Sequence, residues 1–91
     1  MHYYVYILFS LKDKKLYVGF TNNLKVRLSQ HANGAVDSTK YKRPLKLIYY
    51  EYFISKEEAK KREVFLKSGF GRNQLKQSLK ITLTELGYRN L

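Results

Sequence analysis

Tyrosines are concentrated near the start of the chain, where their hydroxyl groups could either support packing or take part in chemistry. Four of them fall within fifteen residues: Tyr3, Tyr4, Tyr6 and Tyr17. An unperturbed tyrosine has a pKa near 10, so it acts as a base near neutral pH only if nearby positive charge lowers that pKa. The tyrosines by themselves leave both roles open.

A cationic pair lies on the next segment, TNNLKVRLSQHA over 21–32, which is expected to form a helix opened by Asx-type capping residues. The positions i, i+3, i+4 and i+7 of this helix, which share one stripe, are Leu24, Arg27, Leu28 and His31. Arg27 and His31 then lie one turn apart, at the edge of the face that packs on the sheet. This pair is the expected source of positive charge for a reactive tyrosine.

A carboxylate occupies the apolar stripe of a second predicted helix, over 56–68, which begins at a capping box formed by Ser55 and Glu58. The residues that share the stripe are Ala59, Glu63, Leu66 and Phe70. A carboxylate that faces a core is destabilising unless it is paired or binds a metal ion. The spacing therefore leaves an ion pair with a neighbouring arginine and a metal site as equal alternatives for Glu63.

A basic loop precedes the third predicted strand. Its stretch STKYKRPLK, over 38–46, places four cations around one tyrosine: Lys40, Lys42, Arg43 and Lys46 around Tyr41. Cationic side chains can follow a phosphate backbone while an aromatic ring stacks on an unpaired base. We expect these five residues to bind a single-stranded nucleic acid, and a solvated run of charge is the alternative.

The elements that must position these residues follow from hydrophobic periodicity. Residues 3–9 and 16–20 alternate as two strands of a hairpin, with polar LKDKK between them. An even number of loop residues, such as a turn at Asp13–Lys14, puts Tyr6 and Tyr17 on one face. That face also carries Tyr4, Leu8 and Gly19. Four other tyrosines, Tyr3, Tyr49, Tyr50 and Tyr52, are expected to pack in the core.

The element order predicts a compact α/β domain with a central three-stranded sheet, mixed or antiparallel, flanked by helices in the order ββαβαα. The third strand covers 45–53, and a last helix over 72–80 follows Gly69 and Gly71, which are expected to end the preceding helix. One domain over 1–80 is predicted, and 81–91 forms a C-terminal extension of uncertain structure.

Composition limits the partners and the chemistry. Eighteen Lys and Arg against seven Asp and Glu give this 91-residue chain a net charge of +11, and such an excess usually meets a polyanion. The chain has no cysteine, which excludes disulfides and thiolate metal sites. Neither a secretory signal nor an apolar stretch of the ~20 residues that span a bilayer is visible. A soluble cytoplasmic protein with no membrane partner and no small-molecule cofactor is expected, with its oligomeric state open.

Four of these features, in this order, resemble the GIY-YIG nuclease domain. Tyr4-Val5-Tyr6 is similar to the first triplet, although it lacks the initial glycine, and Tyr17-Val18-Gly19 is close to the second. Arg27 with His31 is similar to the Arg-x-x-x-His helix of the family, and EAKKREVFLKSG to its metal-ligand helix. The resemblance covers residues 3 to about 80 and extends to the small stand-alone bacterial subgroup.

The resemblance implies a divalent-metal-dependent nuclease that hydrolyses phosphodiester bonds in DNA and prefers single strands. It implies Glu63 as the ligand of Mg²⁺ or Mn²⁺ and Tyr6 as the general base. Tyr17 would hold the water or phosphate, Arg27 would clamp the phosphate, and His31 would accept the tyrosine proton or supply charge. Asn73 is a further candidate for nucleic-acid binding. A catalytically silent nucleic-acid-binding module and a structural ribosome-associated protein are the alternatives.

Overall fold

A computed structural model describes residues 2–88, in which helices cover both faces of a three-stranded antiparallel sheet. The central strand β1 (Tyr3–Ser10) lies between β2 (Leu16–Thr21) and β3 (Leu45–Phe53). The helices are α1 (Leu24–Ala32), α2 (Lys56–Lys67), α3 (Gly69–Ser78) and α4 (Lys80–Glu85), with a short 3₁₀ turn at Lys40–Lys42. The predicted α/β class and the order ββαβαα are confirmed, and α4 follows them. Within residues 2–88, no helix is long and apolar enough to cross a membrane.

The hairpin places its tyrosines on the expected face but with a different turn. Tyr6 lies opposite Gly19, and Leu8 lies opposite Tyr17. The Ser10 N–H donates to the Lys15 carbonyl at 3.0 Å, so the loop has four residues rather than the two of an Asp13–Lys14 turn. The register therefore moves by two positions, which leaves every side chain on its predicted face.

The main core lies between the other face of the sheet and the helices that follow β3. Its buried side chains come from β1, β2 and three helices: Val5, Ile7, Phe9, Leu16, Ala59, Leu66, Leu75 and Leu83. Their removal from water is the main favourable contribution to folding. Leu83 belongs to α4, so part of the segment without a predicted structure completes this core. Residues 89–91 of the predicted extension lie outside the described residues.

The junction between α2 and α3 differs from the prediction. The last predicted helix starts at Gly69 rather than at 72, with Ser68 as its N-cap, and the Ser68 Oγ accepts the Gly71 N–H at 3.2 Å. A side chain at Gly71 would clash with the backbone of Phe65, so this glycine permits close approach of two helices. Because α2 ends and α3 begins at Ser68, Phe70 does not continue the apolar stripe of α2, and it is 81% exposed.

Two of the four tyrosines that were expected in the core are exposed. Tyr3 and Tyr49 pack against the core as expected. Tyr50 and Tyr52 are 50% and 51% exposed, which makes the prediction wrong for them. They lie on the α1 side of the edge strand β3, opposite Tyr6 and Tyr4 of β1, and a nine-residue helix covers that side only in part.

Candidate active site

One cleft of about 390 Å³ along β2 brings together the five residues predicted to be catalytic. They are Tyr6, Tyr17, Arg27, His31 and Glu63. Because β2 is an edge strand, the cleft is open to both faces of the sheet. Helix α1 contributes Arg27 and His31, and α2, which packs on the other face, contributes Glu63.

Tyr6 is the first member of a buried hydrogen-bonded chain. Its hydroxyl lies 2.7 Å from Nε2 of His31, and Nδ1 of His31 lies 2.7 Å from Oγ1 of Thr39. Tyr6 and Thr39 are each 2% exposed. A neutral imidazole carries one N–H, so donation from Nδ1 to Thr39 leaves Nε2 free to accept the proton of Tyr6.

Burial sets the protonation states in this chain. It raises the pKa of Tyr6 and outweighs Arg27, whose Nε–H donates to the Tyr6 hydroxyl at 3.4 Å and whose charge lowers that pKa. Burial also lowers the pKa of His31, and the charge of Arg27 acts in the same direction. The prediction that the pKa of Tyr6 is lowered overall is therefore wrong, although Arg27 acts in the predicted direction. His31 is neutral near pH 7, and Tyr6 keeps its proton.

Gly19 makes room for the Tyr6 ring. The ring lies so close to the Cα of Gly19 that a Cβ at this position would overlap its atoms. The two residues are direct partners across β1 and β2. The glycine of the second triplet is therefore needed for close approach of a side chain, which is a common reason for glycine inside a strand.

Tyr17 has a different partner from Tyr6. Its hydroxyl donates to Oδ2 of Asp13 at 2.5 Å. Burial raises the pKa of Tyr17 to about 12, with further contributions from the hydrogen bond and the charge of Asp13. Asp13 also lies 3.6 Å from Nζ of Lys42. Tyr17 stays protonated near neutral pH and donates its one proton to Asp13, so its oxygen can accept a hydrogen bond in the cleft.

Glu63 keeps unused acceptor capacity in the cleft. Its side chain is 15% exposed, and Oε2 lies 3.1 Å from Nζ of Lys67, one turn further along α2. Within residues 2–88 it has no second ion pair or hydrogen bond, and no cluster of three or more His, Cys, Asp or Glu forms a metal cage. One carboxylate with a free oxygen fits Mg²⁺, which retains water ligands and shares ligation with a substrate phosphate.

Sequence reasoning missed several residues that line the cleft, among them Thr39, Lys67 and Arg72. Thr39 comes from a loop without periodicity, so no local signal could have found it. Lys67 follows Glu63 by four residues, and that spacing was a usable signal for an ion pair. Arg72 lies in α3, at the position that was predicted to begin the last helix, directly after the two glycines that were expected to end the preceding one. Its neighbour Asn73 is exposed and outside the cleft lining, and its role remains a prediction.

The five predicted binding residues of the basic loop lie outside the cleft lining, although Ser38 and Thr39 of the same loop line the cleft. Tyr41 is 72% exposed, and Nζ of Lys40 lies 5.3 Å from the centre of its ring. Arg43 donates to the carbonyls of Ala32 and Lys40 at 3.2 and 3.0 Å, so its guanidinium supports the loop itself. The remaining cations are half-exposed Lys42, which pairs with Asp13, and exposed Lys46. Nucleic-acid binding by this loop remains a prediction.

Comparison with known proteins gives one family. The GIY-YIG catalytic domain model matches residues 2–76. A UPF0213 protein of Clostridium perfringens is 49% identical over 74 residues, which cover 78% of this chain and 75% of the relative. A UPF0213 protein of Staphylococcus haemolyticus is 44% identical over 73 residues, with coverages of 79% and 87%. The solution NMR structure of a UPF0213 protein from Bacillus halodurans matches with 40% identity and a TM-score of 0.54, over 88% of this chain and 86% of that one.

Proposed function

This chain belongs to the GIY-YIG catalytic domain family, a nuclease family, and we propose that it hydrolyses phosphodiester bonds in DNA with a divalent metal ion and prefers single strands. The observation that carries the proposal is the cleft along β2. There, a proton-accepting chain, an arginine and a carboxylate with a free oxygen face one space. These are the groups that attack of water on a phosphodiester requires.

The proton of the attacking water leaves through Tyr6. The phenol oxygen takes a proton from the water while its own proton passes to Nε2 of neutral His31. The oxygen of the water bonds to phosphorus as the bond to the leaving oxygen breaks. Thr39 holds the imidazole through Nδ1 and keeps Nε2 aimed at the phenol. The raised pKa of Tyr6 and the lowered pKa of His31 favour this relay over an ionised phenolate in the resting protein.

Cationic groups at the cleft stabilise the negative charge that develops on the phosphate. Arg27 lies beside the Tyr6 hydroxyl, and its planar guanidinium can contact two phosphate oxygens at once. Arg72 lines the same space from α3. A Mg²⁺ or Mn²⁺ ion bound to Glu63 would supply Lewis-acid charge to the phosphate and the leaving oxygen. The exposed ring of Tyr41 beside Lys40 supports the preference for unpaired bases.

The proposal is tested by incubating end-labelled single- and double-stranded DNA of one sequence with Mg²⁺, Mn²⁺ or EDTA. We expect metal-dependent cleavage that is faster on the single strand. Arg27→Met should lower the rate by about 10²-fold or more, because a charge-stabilising donor is lost. The control Lys61→Met removes an exposed cation of α2 outside the cleft and should cut normally. DNA binding without cleavage in either metal would instead establish a silent binding module, and selective binding of folded RNA a structural one.

A further inference from the structure

We propose that a cluster of exposed and half-exposed aromatic rings on and beside β3 stacks on unpaired bases of the strand that the cleft cuts. The rings belong to His2, Tyr4, Tyr50 and Tyr52 and are called here the aromatic face. This inference rests on the proposed function for the identity of the strand. It adds a contact region to the cleft and the basic loop, on the face of the sheet that α1 covers in part.

The rings of the aromatic face hold one another in place. Tyr4 packs edge-on against Tyr50 and Tyr52, with ring centres 6.0 and 5.7 Å apart. Nδ1 of His2 lies 2.8 Å from the Tyr52 hydroxyl, and these two ring centres are 5.5 Å apart. About half of the surface of Tyr50 and Tyr52 remains open. Rings that are ordered before binding lose little conformational freedom when a base stacks on them.

Bases are the chemistry that fits this surface. Every base has a flat π-face, so exposed aromatic rings hold single strands with little sequence preference, and a sheet surface is one place where such rings occur. A cavity of about 600 Å³ adjoins Tyr4 and Tyr50. Leu24, Leu28 and Leu47 give it an apolar lining, and Lys25 adds a cation. It can therefore hold an unpaired base and the phosphate next to it.

One depression shares lining residues with both this cavity and the cleft, which gives a route between them. A depression of about 480 Å³ at the start of α1 shares Phe20 and Arg27 with the cleft. The same depression shares Asn22 and Asn23 with the cavity beside the aromatic face. Along this route, Arg27 and Lys56 line the depression and Lys25 lines the cavity, and no carboxylate is among the described residues that line either of them. The route therefore suits a phosphate backbone.

A second copy of the chain is the other occupant to consider. Each copy carries a net charge of +11, so association of two copies brings like charges together, whereas a nucleic acid brings the opposite charge. Charge complementarity favours the nucleic acid. Self-association is thus the outcome that the experiment must separate from base stacking.

The test measures binding of a labelled oligothymidylate to the Glu63→Gln protein, in which cleavage does not interfere. Tyr50→Leu with Tyr52→Leu removes the rings, and Tyr50→Phe with Tyr52→Phe keeps them as a matched control. Loss of one stacked base corresponds to about 5- to 150-fold in affinity. We expect the leucine pair to weaken binding by about tenfold or more and the phenylalanine pair to bind like the parent. An abasic oligonucleotide should bind the parent and the leucine pair equally.

A single indole provides a second readout, because the chain contains no tryptophan. Tyr50→Trp should show fluorescence quenching by oligothymidylate but not by the abasic strand. Equal affinity of the leucine and phenylalanine pairs for oligothymidylate, without quenching, would overturn the proposal. A change of sedimentation in the leucine pair with unchanged DNA affinity would identify a self-association surface and also overturn it. Absence of cleavage by the wild-type protein would overturn the proposed function but would leave these binding results intact.

Discussion

Glu51 of β3 and Glu63 of α2 are buried to nearly the same extent, with side chains 18% and 15% exposed, but their surroundings differ. Glu51 accepts two hydrogen bonds from Arg62, at 2.8 and 2.9 Å, and a third from the Tyr49 hydroxyl at 2.6 Å. Among residues 2–88, Glu63 has one ion pair, with Lys67 at 3.1 Å, and it faces a cleft. Each carboxylate thus has a tyrosine and an arginine nearby, but within the described part of the chain only those of Glu51 bond to it.

Free acceptor capacity, rather than burial, distinguishes a carboxylate that can bind a ligand from one that is held in a structural ion pair. Burial raises the pKa of Glu51, but the hydrogen bonds and charge of Arg62 and the hydrogen bond of Tyr49 outweigh it and hold that pKa below its ordinary value. Its oxygens are committed to neighbours, as is usual for buried polar groups. Glu63 retains an oxygen that can bind a metal ion.

The largest expected contrast is between Tyr6 in the cleft and Tyr49, which donates a hydrogen bond to Glu51. Tyr6→Phe keeps the ring and its packing but removes the proton relay, so the rate should fall by about 10²–10⁴-fold. Tyr49→Phe removes one hydrogen bond to Glu51, which should lower the free energy of unfolding by about 1 kcal/mol and leave cleavage within a few-fold. Single-turnover cleavage of single-stranded DNA and thermal melting measure both. Equal, mild rate losses in the two variants would make Tyr6 structural as well.

A smaller contrast concerns the glycine beneath Tyr6. Gly19→Ala pushes the Tyr6 ring away from its position, and a displacement of about 1 Å at a reacting group can lower a rate by up to about 10²-fold. Gly69→Ala is the matched control, because nothing lies within 4 Å of the added methyl group. We expect cleavage and stability to fall in the first variant and neither to fall in the second. A fully active Gly19→Ala protein would show that the cleft does not depend on this contact.

The pH dependence should follow His31. Burial and the charge of Arg27 lower its pKa below the ordinary 6.5, so the imidazole remains a proton acceptor in mildly acidic solution. The cleavage rate should therefore hold down to about pH 6.5 and fall only below it. In the unfolded chain, His31 binds a proton at pH values where His31 of the folded protein does not. Its contribution to the free energy of unfolding is therefore fully present above pH 6.5 and is lost as the pH falls below that value. In the Arg27→Met protein, the midpoint of the His31 titration followed by NMR should lie closer to 6.5. An unchanged midpoint would show that the charge of Arg27 does not lower the pKa of His31.

The smallest effect is expected at Tyr17. Its ultraviolet titration should have a midpoint near 12, and Asp13→Asn, which removes a negative acceptor, should move that midpoint towards 10. Cleavage should change by no more than a few-fold, since the proposed relay does not use the Tyr17 proton. A Tyr17 midpoint that does not respond to Asp13→Asn would show that burial alone raises its pKa.

Local patterns were sufficient for the three strands, the first two helices and the five predicted residues of the cleft. The alternation of residues 3–9 and 16–20 correctly put Tyr6 and Tyr17 on one face, because a shift of two positions preserves the face of every residue. Ser55 caps α2 as predicted. Helical spacing placed Arg27 and His31 one turn apart, and the structure brings both to the cleft.

Tertiary contacts determined what the sequence patterns missed. Thr39 meets His31 only because a loop folds over the end of α1. The direction of the Tyr6 pKa shift depends on how deeply the phenol is buried, which spacing does not report. Tyr50 and Tyr52 have a strand pattern typical of packing, but the helix that could cover them does not reach far enough.

The most direct test compares Glu63→Gln with Glu51→Gln for both cleavage and melting, since each substitution is nearly isosteric. Glu63→Gln should abolish metal-stimulated cleavage of single-stranded DNA while melting like the wild type. Glu51→Gln weakens the contacts with Arg62 and should lower the free energy of unfolding by about 1–2 kcal/mol, or roughly 5–15 °C in melting temperature, with cleavage by the folded protein retained. Undiminished Mg²⁺-stimulated cleavage by a folded Glu63→Gln protein would contradict the assignment of Glu63 to the site.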